Sequence, residues 1–281
     1  MMQRSDSVRK PAAAGRFYPA AKSELLRELD GMLAQHAGVS PNSKKPLAII
    51  VPHAGYMYSG YTAAAAYEAA RAFSYDTIVV AGPSHFDSFQ GGAIYSGSAY
   101  ATPLGEAQID WDFAQRIMSK VPDIKSSNYG HREEHSIEVQ VPFIQAAFPQ
   151  TPIVPIALGN QSRELSGKLA DALAELRSYR DFLFVASSDL SHFHTHAAAQ
   201  ELDGKASECI SELDSDGFLE FLTLRKTEAC GFGAVLTAMQ YGRALGAKRA
   251  DVLHQCTSGD VTGDTSRVVG YLSAAIRGDN D

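Results

Sequence analysis

The chain is poor in cysteine: 281 residues carry three, an odd number and too few for a disulfide scaffold, which favours a reducing compartment. It also lacks a positive balance. Lys and Arg number 25 against 32 Asp and Glu, a net charge of −7, so no global field gathers phosphates and nucleic acid is not an expected partner. An N-terminal apolar run is absent too: the start, through Lys10, is polar and leads into Pro11, unlike a secretory signal, and a cytoplasmic location is expected. Two stretches are free of Asp, Glu, Lys and Arg, Pro46–Tyr67 and Val139–Ser162, yet neither is an uninterrupted apolar run. Pro52, His53, Gly55 and Gly60 break the first, and four prolines break the second, so no membrane span is expected.

What the chain does have is nine histidines set among alternating β-branched runs and helix-period segments. That alternation predicts a single α/β domain over residues 1–281, with a largely parallel or mixed central sheet, helices on both faces, and residues 1–20 as an extended segment packed on the domain. Strands are expected at Leu47–Val51, Thr77–Ala81, Gly91–Tyr95, Ile153–Ala157 and Phe182–Ala186, and an antiparallel pair at Ala250–His254 and Val268–Ser273. Helices are expected from Ser23 to about His36, at Ser59–Phe73, Asp112–Lys120, Glu133–Phe148, Arg163–Tyr179, Thr195–Leu213 and Phe232–Leu245.

Three strands end in a small-residue loop that carries a histidine: His53, His85 and His192. Ligand sites of open α/β sheets lie beyond the carboxyl ends of the strands, so these three side chains are expected to converge. Imidazole suits zinc, copper, iron and nickel, which makes a transition metal the expected ion. Asp189 orients the His192 imidazole or caps the next helix, and Ser84, Ser187 and Ser188 offer supporting hydrogen bonds. Cys230 precedes a helix between small residues, where it serves as a metal ligand, a redox-active thiol or a small buried residue. His131-Arg132-Glu133-Glu134-His135 satisfies H-x-x-E-H, so a zinc peptidase using His131 and His135 is a third reading of the chain. His194 and His196 read as solvent-facing residues at a helix start.

Several longer motifs occur in one order: Arg9-Lys10-Pro11-Ala12, Ala14-Gly15-Arg16-Phe17-Tyr18-Pro19, Val51-Pro52-His53-Ala54-Gly55-Tyr56, Gly82-Pro83-Ser84-His85, Glu134-His135-Ser136-Ile137-Glu138, Ser187-Ser188-Asp189-Leu190-Ser191-His192, Cys230-Gly231, Ser258-Gly259-Asp260 and Val268-Val269-Gly270-Tyr271. From about Arg9 to Ala275 the chain thereby resembles the Memo family, including the bacterial and archaeal proteins labelled as the B component of the AmmeMemoRadiSam system. The resemblance implies a fold like that of class III extradiol ring-cleavage dioxygenases. It implies His53, His85 and Cys230 as ligands of iron or copper, with zinc as an alternative, and Glu228 as a weaker claimant for the third place. It also implies His192 as general acid/base, His135 as a second pocket histidine, and a radical-SAM companion protein. The expected functions are a metal-dependent redox enzyme acting on a small polar or aromatic substrate, or a non-enzymatic module that docks a peptide or partner protein in the same pocket.

Overall fold

In the computed structural model, residues 5–38 and 44–278 are described. The elements run β1 (Val8–Arg9), α1 (Lys22–Ala34), β2 (Pro46–Val51), α2 (Tyr56–Arg71), β3 (Thr77–Pro83), β4 (Gly92–Ile94), β5 (Ala99–Thr102), β6 (Gly105–Gln108), α3 (Trp111–Lys120) and β7 (Ile124–Ser126). There follow α4 (Gln140–Ala147), β8 (Ile153–Leu158), α5 (Arg163–Leu176), β9 (Phe182–Ser187), β10 (His192–His194), α6 (His196–Ser211), α7 (Ser215–Thr223), α8 (Phe232–Ala244), β11 (Ala250–Thr257), α9 (Ser258–Thr262) and β12 (Val268–Arg277).

Nine strands form the main sheet in the order β10-β12-β2-β9-β3-β8-β4-β7, with β11 paired to β12. Strands β2, β9, β3 and β8 are mutually parallel, whereas β12 runs antiparallel to β2, β10 and β11, and β4 antiparallel to β8. The central strands are apolar along nearly their whole length because both faces are covered, with Thr77 and Ser187 at strand ends as exceptions. Their alternation still sorts side chains: Ala48, Ile50, Val79, Phe182 and Phe184 pack with α3, α5 and α8, while Ile49, Val51, Ile78, Val80, Leu183 and Val185 pack with α1, α2 and α4. On the second face α2 lies close because alanines fill it and Gly60 faces Met32, whose Sδ would sit 2.6 Å from an added Cβ.

A small sheet β1-β5-β6 sits beside this body and pairs Val8 and Arg9 with Ala99 and Tyr100. The expected helix over Glu133–Phe148 starts only at Gln140. Residues 131–139 fold as successive turns, because the carbonyls of His131 and Glu134, which a helix would give to His135 and Glu138, instead accept from the Arg9 guanidinium at 2.5 and 2.7 Å. Among the described residues no helix is long and apolar enough to cross a membrane.

Candidate metal centre

Strands β2, β9 and β3 are adjacent and parallel, so their carboxyl ends deliver their loops to one edge of the sheet. His53 follows β2, His85 follows β3, and Asp189 and His192 follow β9. The turn region before α4 adds His135 from above. The ligand atoms of His53, His85 and His135 all lie within 4.8 Å of one another. Ring centroids are 5.3 Å apart for His53 and His85, 5.6 Å for His53 and His135, and 4.9 Å for the stacked pair His85 and His135. His53 is buried, His135 half-buried and His85 exposed, so the group opens to solvent on the His85 side.

Hydrogen bonding fixes which nitrogen His53 and His85 offer. The single hydroxyl proton of Ser187 is given to the Ser136 carbonyl at 2.6 Å, and its oxygen accepts from Gln140 Nε2 at 2.9 Å. His53 Nδ1, 3.0 Å from that same oxygen, must therefore donate, which leaves Nε2 unprotonated. Glu134 does the same for His85: its Oε1 accepts from Nδ1 at 2.9 Å, while Oε2 takes the His85 backbone N–H. A carboxylate behind an imidazole is the usual support of a metal-bound histidine. Burial would raise the Glu134 carboxyl, but hydrogen bonds and charge from His85, with the Ser136 N–H, outweigh it and hold the group at about 2. Burial and the neighbouring His85 and His135 rings push His53 well below its ordinary value, so it is neutral and able to ligate. Burial lowers His135 as well.

Cys230 faces the nitrogen of His53 that is turned away from Ser187, its Sγ 3.1 Å from Nε2. Gly231 allows this approach: a Cβ there would fall 2.2 Å from the Ser187 carbonyl oxygen. The loop is tied down by Gly231 N–H to Ser188 Oγ at 2.9 Å and Gln161 Nε2 to the Cys230 carbonyl at 2.7 Å. Backbone N–H groups at a helix start favour a thiolate, but here burial outweighs them. Burial and the Asp189 charge raise the thiol far above its ordinary value, so it stays protonated unless a cation displaces the proton.

Asp189 neither caps a helix nor bonds the His192 ring; its Oδ1 accepts the His53 backbone N–H at 2.7 Å and fixes the loop that carries that histidine. The N-cap of α6 is Thr195. His192 is half-buried, its backbone N–H held by Glu228 Oε2 at 3.0 Å. Both Glu228 oxygens are engaged, the other by His194 Nε2 at 2.8 Å, and the carboxylate is absent from the clustered donors. His194 and His196 are not simply solvent-facing: His196 Nδ1 pairs with Thr257 Oγ1 at 3.0 Å. His131 stands apart, buried with Nδ1 against the Tyr100 hydroxyl at 2.5 Å and Nε2 against the Ala93 carbonyl at 2.9 Å. Neither it nor His135 is on a helix, so the context that H-x-x-E-H requires is missing.

The Memo-like protein family matches residues 9–275. The chain belongs to the Memo family. A MEMO1 family protein of Caldivirga maquilingensis is 40% identical over 278 residues, covering 96% of this chain and 99% of its own. That of Sulfurisphaera tokodaii is 37% identical, with 95% and 98% covered, and that of Thermoplasma volcanium 36%, with 95% and 97%. Among solved structures, the uncharacterized protein JW3007 of Escherichia coli K12 shares the fold at a TM-score of 0.54 and 15% identity, over 82% of this chain and 98% of its own. Memo membership thus rests on the whole length of the chain, and the clustered histidines are a feature of this member's fold.

Sequence reading missed three contributors to the site. Glu134 was visible only as part of a motif, Gln140 was hidden in an expected helix, and Phe17, whose ring stacks on His135 at 4.4 Å, comes from the N-terminal segment. The acidic residue immediately preceding His135 was the one available signal.

Proposed function

We propose that this protein is a metal-dependent redox protein in which His53 and His85 hold a transition ion, iron or copper, with Cys230 and His135 as the further donors. The observation that carries the reading is the pair of oriented imidazoles: Ser187 and Glu134 each accept a hydrogen bond from Nδ1 and leave Nε2 unprotonated within a group of three clustered histidines. Such an ion, when bound, supplies an electron-transfer and Lewis-acid centre for oxidising a small polar or aromatic substrate. The protein's own part is positional and protonic. His192, on its backbone tether to Glu228, exchanges a proton with the bound substrate. Asp189 keeps the His53 loop in register, and the buried His53 wall excludes water from one side of the group.

The test is oxygen uptake by protein loaded anaerobically with Fe(II), then aerated with a panel of catechols. Uptake by wild type that falls at least about 100-fold in His192→Ala, at unchanged metal content, supports the reading. No uptake with any substrate counts against it.

A second reading, a docking pocket without chemistry, is favoured by exposed rings beside the histidines. Phe86 and Phe193 are 61% and 62% exposed, and Phe193 sits at a bulge with φ of 64°, a conformation that costs on the order of 1 kcal/mol or more. Partner capture that survives His192→Ala but is lost on Phe86→Ser and Phe193→Ser would favour docking.

A further inference from the structure

Residues 8–18 form a strap that touches the start of α2 behind the His53 loop and the turn region carrying His135, and its anchor is a buried ion pair. Arg9 and Glu138 are 5% and 0% exposed, with Nη1 2.6 Å from Oε2. The remaining Arg9 donors do not serve the pair. Nε reaches the His131 carbonyl at 2.5 Å and Nη2 the Glu134 carbonyl at 2.7 Å, so one rigid guanidinium bridges the turn region that carries Glu134 and His135. Its plane also lies 4.7 Å from the Tyr100 ring centroid, beside the β1–β5 pairing.

Glu138 closes the clamp from the other end. Its Oε2 accepts from Ala12 N–H at 2.8 Å, and its Oε1 from Ala13 N–H at 2.8 Å and the Tyr18 hydroxyl at 2.6 Å. Between these contacts the strap turns so that Phe17 stacks on His135 and gives its carbonyl to Tyr56 N–H at 2.7 Å, at the start of the helix that follows the His53 loop. Tyr56 in turn donates through its hydroxyl to the Val139 carbonyl at 2.6 Å. Removing a buried pair from water is costly, and well-packed apolar side chains often stabilise a core as well. What an apolar pair cannot do is hold two carbonyls of an irregular segment at fixed positions.

We propose that Arg9 and Glu138 are positioning residues for the histidine group: through the His131 and Glu134 carbonyls and the strap carrying Phe17, they set the placement of Glu134 behind His85 and of His135 beside it. The proposal rests on the metal-centre reading above and concerns how that centre is shaped. Its test compares wild type with Arg9→Met, Glu138→Gln, Tyr18→Phe and the doubly apolar Arg9→Met/Glu138→Met. Leu173→Ala, in the core on the opposite face of the sheet, serves as a destabilised control.

Two readouts are taken: Co(II) affinity by chelator competition with the absorption spectrum of the bound ion, and ring carbon–proton signals of His135 and Phe17 in metal-free protein. Arg9→Met and the double variant are expected to lose at least about tenfold in Co(II) affinity, with an altered spectrum and shifted or multiplied ring signals. Leu173→Ala is expected to unfold at lower temperature with affinity and ring signals unchanged. Tyr18→Phe removes one contact of the clamp, Glu138→Gln removes its charge and turns one twice-bonded acceptor oxygen into a donor, and both report in the same direction if the Arg9 variants do not fold. Folded clamp variants that keep wild-type affinity within twofold and wild-type ring signals overturn the proposal. If wild type binds no Co(II), or His53→Ala binds it equally well, the metal reading fails instead, and the ring signals alone still decide whether the clamp positions His135 and Phe17.

Discussion

Lowering the pH should destabilise this protein through His131 in particular. Burial drives His131 from 6.5 to about 3, offset only in part by the Ala93 carbonyl, and its two bonds require the neutral ring with Nε2 donating and Nδ1 accepting. The unfolded chain takes up the proton as pH falls through 6.5, whereas the folded chain resists until near 3. Stability is therefore complete above the unfolded value and drains away between about pH 6.5 and 3. At about 1.4 kcal/mol per unit, the step from pH 7 to pH 4 costs about 3 kcal/mol, a large share of an ordinary domain's stability. The assay is urea denaturation at pH 7, 5.5 and 4 on wild type and His131→Gln, with the difference between their pH slopes taken so that His53 and other acid-sensitive groups cancel. The variant should be less stable at pH 7 yet lose about 3 kcal/mol less on acidification. Parallel pH profiles for the two proteins would refute the neutral, buried assignment of His131.

Other outcomes follow from the site. Glu134→Gln leaves an acceptor on His85 but removes the charge, and should weaken metal affinity about 10- to 100-fold in a chelator competition; an unchanged constant would remove Glu134 from the centre. Gly231→Ala places a Cβ against the Ser187 carbonyl and should cost about 1–3 kcal/mol by urea denaturation together with weaker metal binding, whereas a neutral result would mean that the Cys230 loop is free to shift. Leu169→Ala, in the packing between α5 and α8, should cost about 2–5 kcal/mol without changing metal stoichiometry. A loss of bound metal in that variant would tie the centre to global stability rather than to its own loops.

The layered architecture was legible because β2, β3, β8 and β9 are short, apolar and separated by helix-period segments, and the histidine-bearing loops after β2, β3 and β9 pointed to one edge of the sheet. Small elements escaped. β1, β5 and β6 span two to four residues each, too short for a period to register, and α7 covers only nine. The helix expected over Glu133–Phe148 failed at its first half for a reason no local pattern carries: Arg9, 129 residues before Glu138, takes the carbonyls that a helix would use. Cys230 was left between a metal ligand, a redox-active thiol and a small buried residue, and desolvation with the Asp189 charge keeps its thiol protonated in the metal-free protein. Glu134 shows the same limit, since its role depends on a loop from β3 that sequence distance conceals.

The central proposal is a centre that joins His53 and His85, at two strand ends, to His135 around one transition ion. Metal content measured after anaerobic purification decides it, with wild type compared with His53→Ala, His131→Ala and Cys230→Ala. One equivalent of iron or copper in wild type and in His131→Ala, abolished in His53→Ala and diminished in Cys230→Ala, is the predicted pattern. Metal retained in His53→Ala and lost in His131→Ala would contradict it.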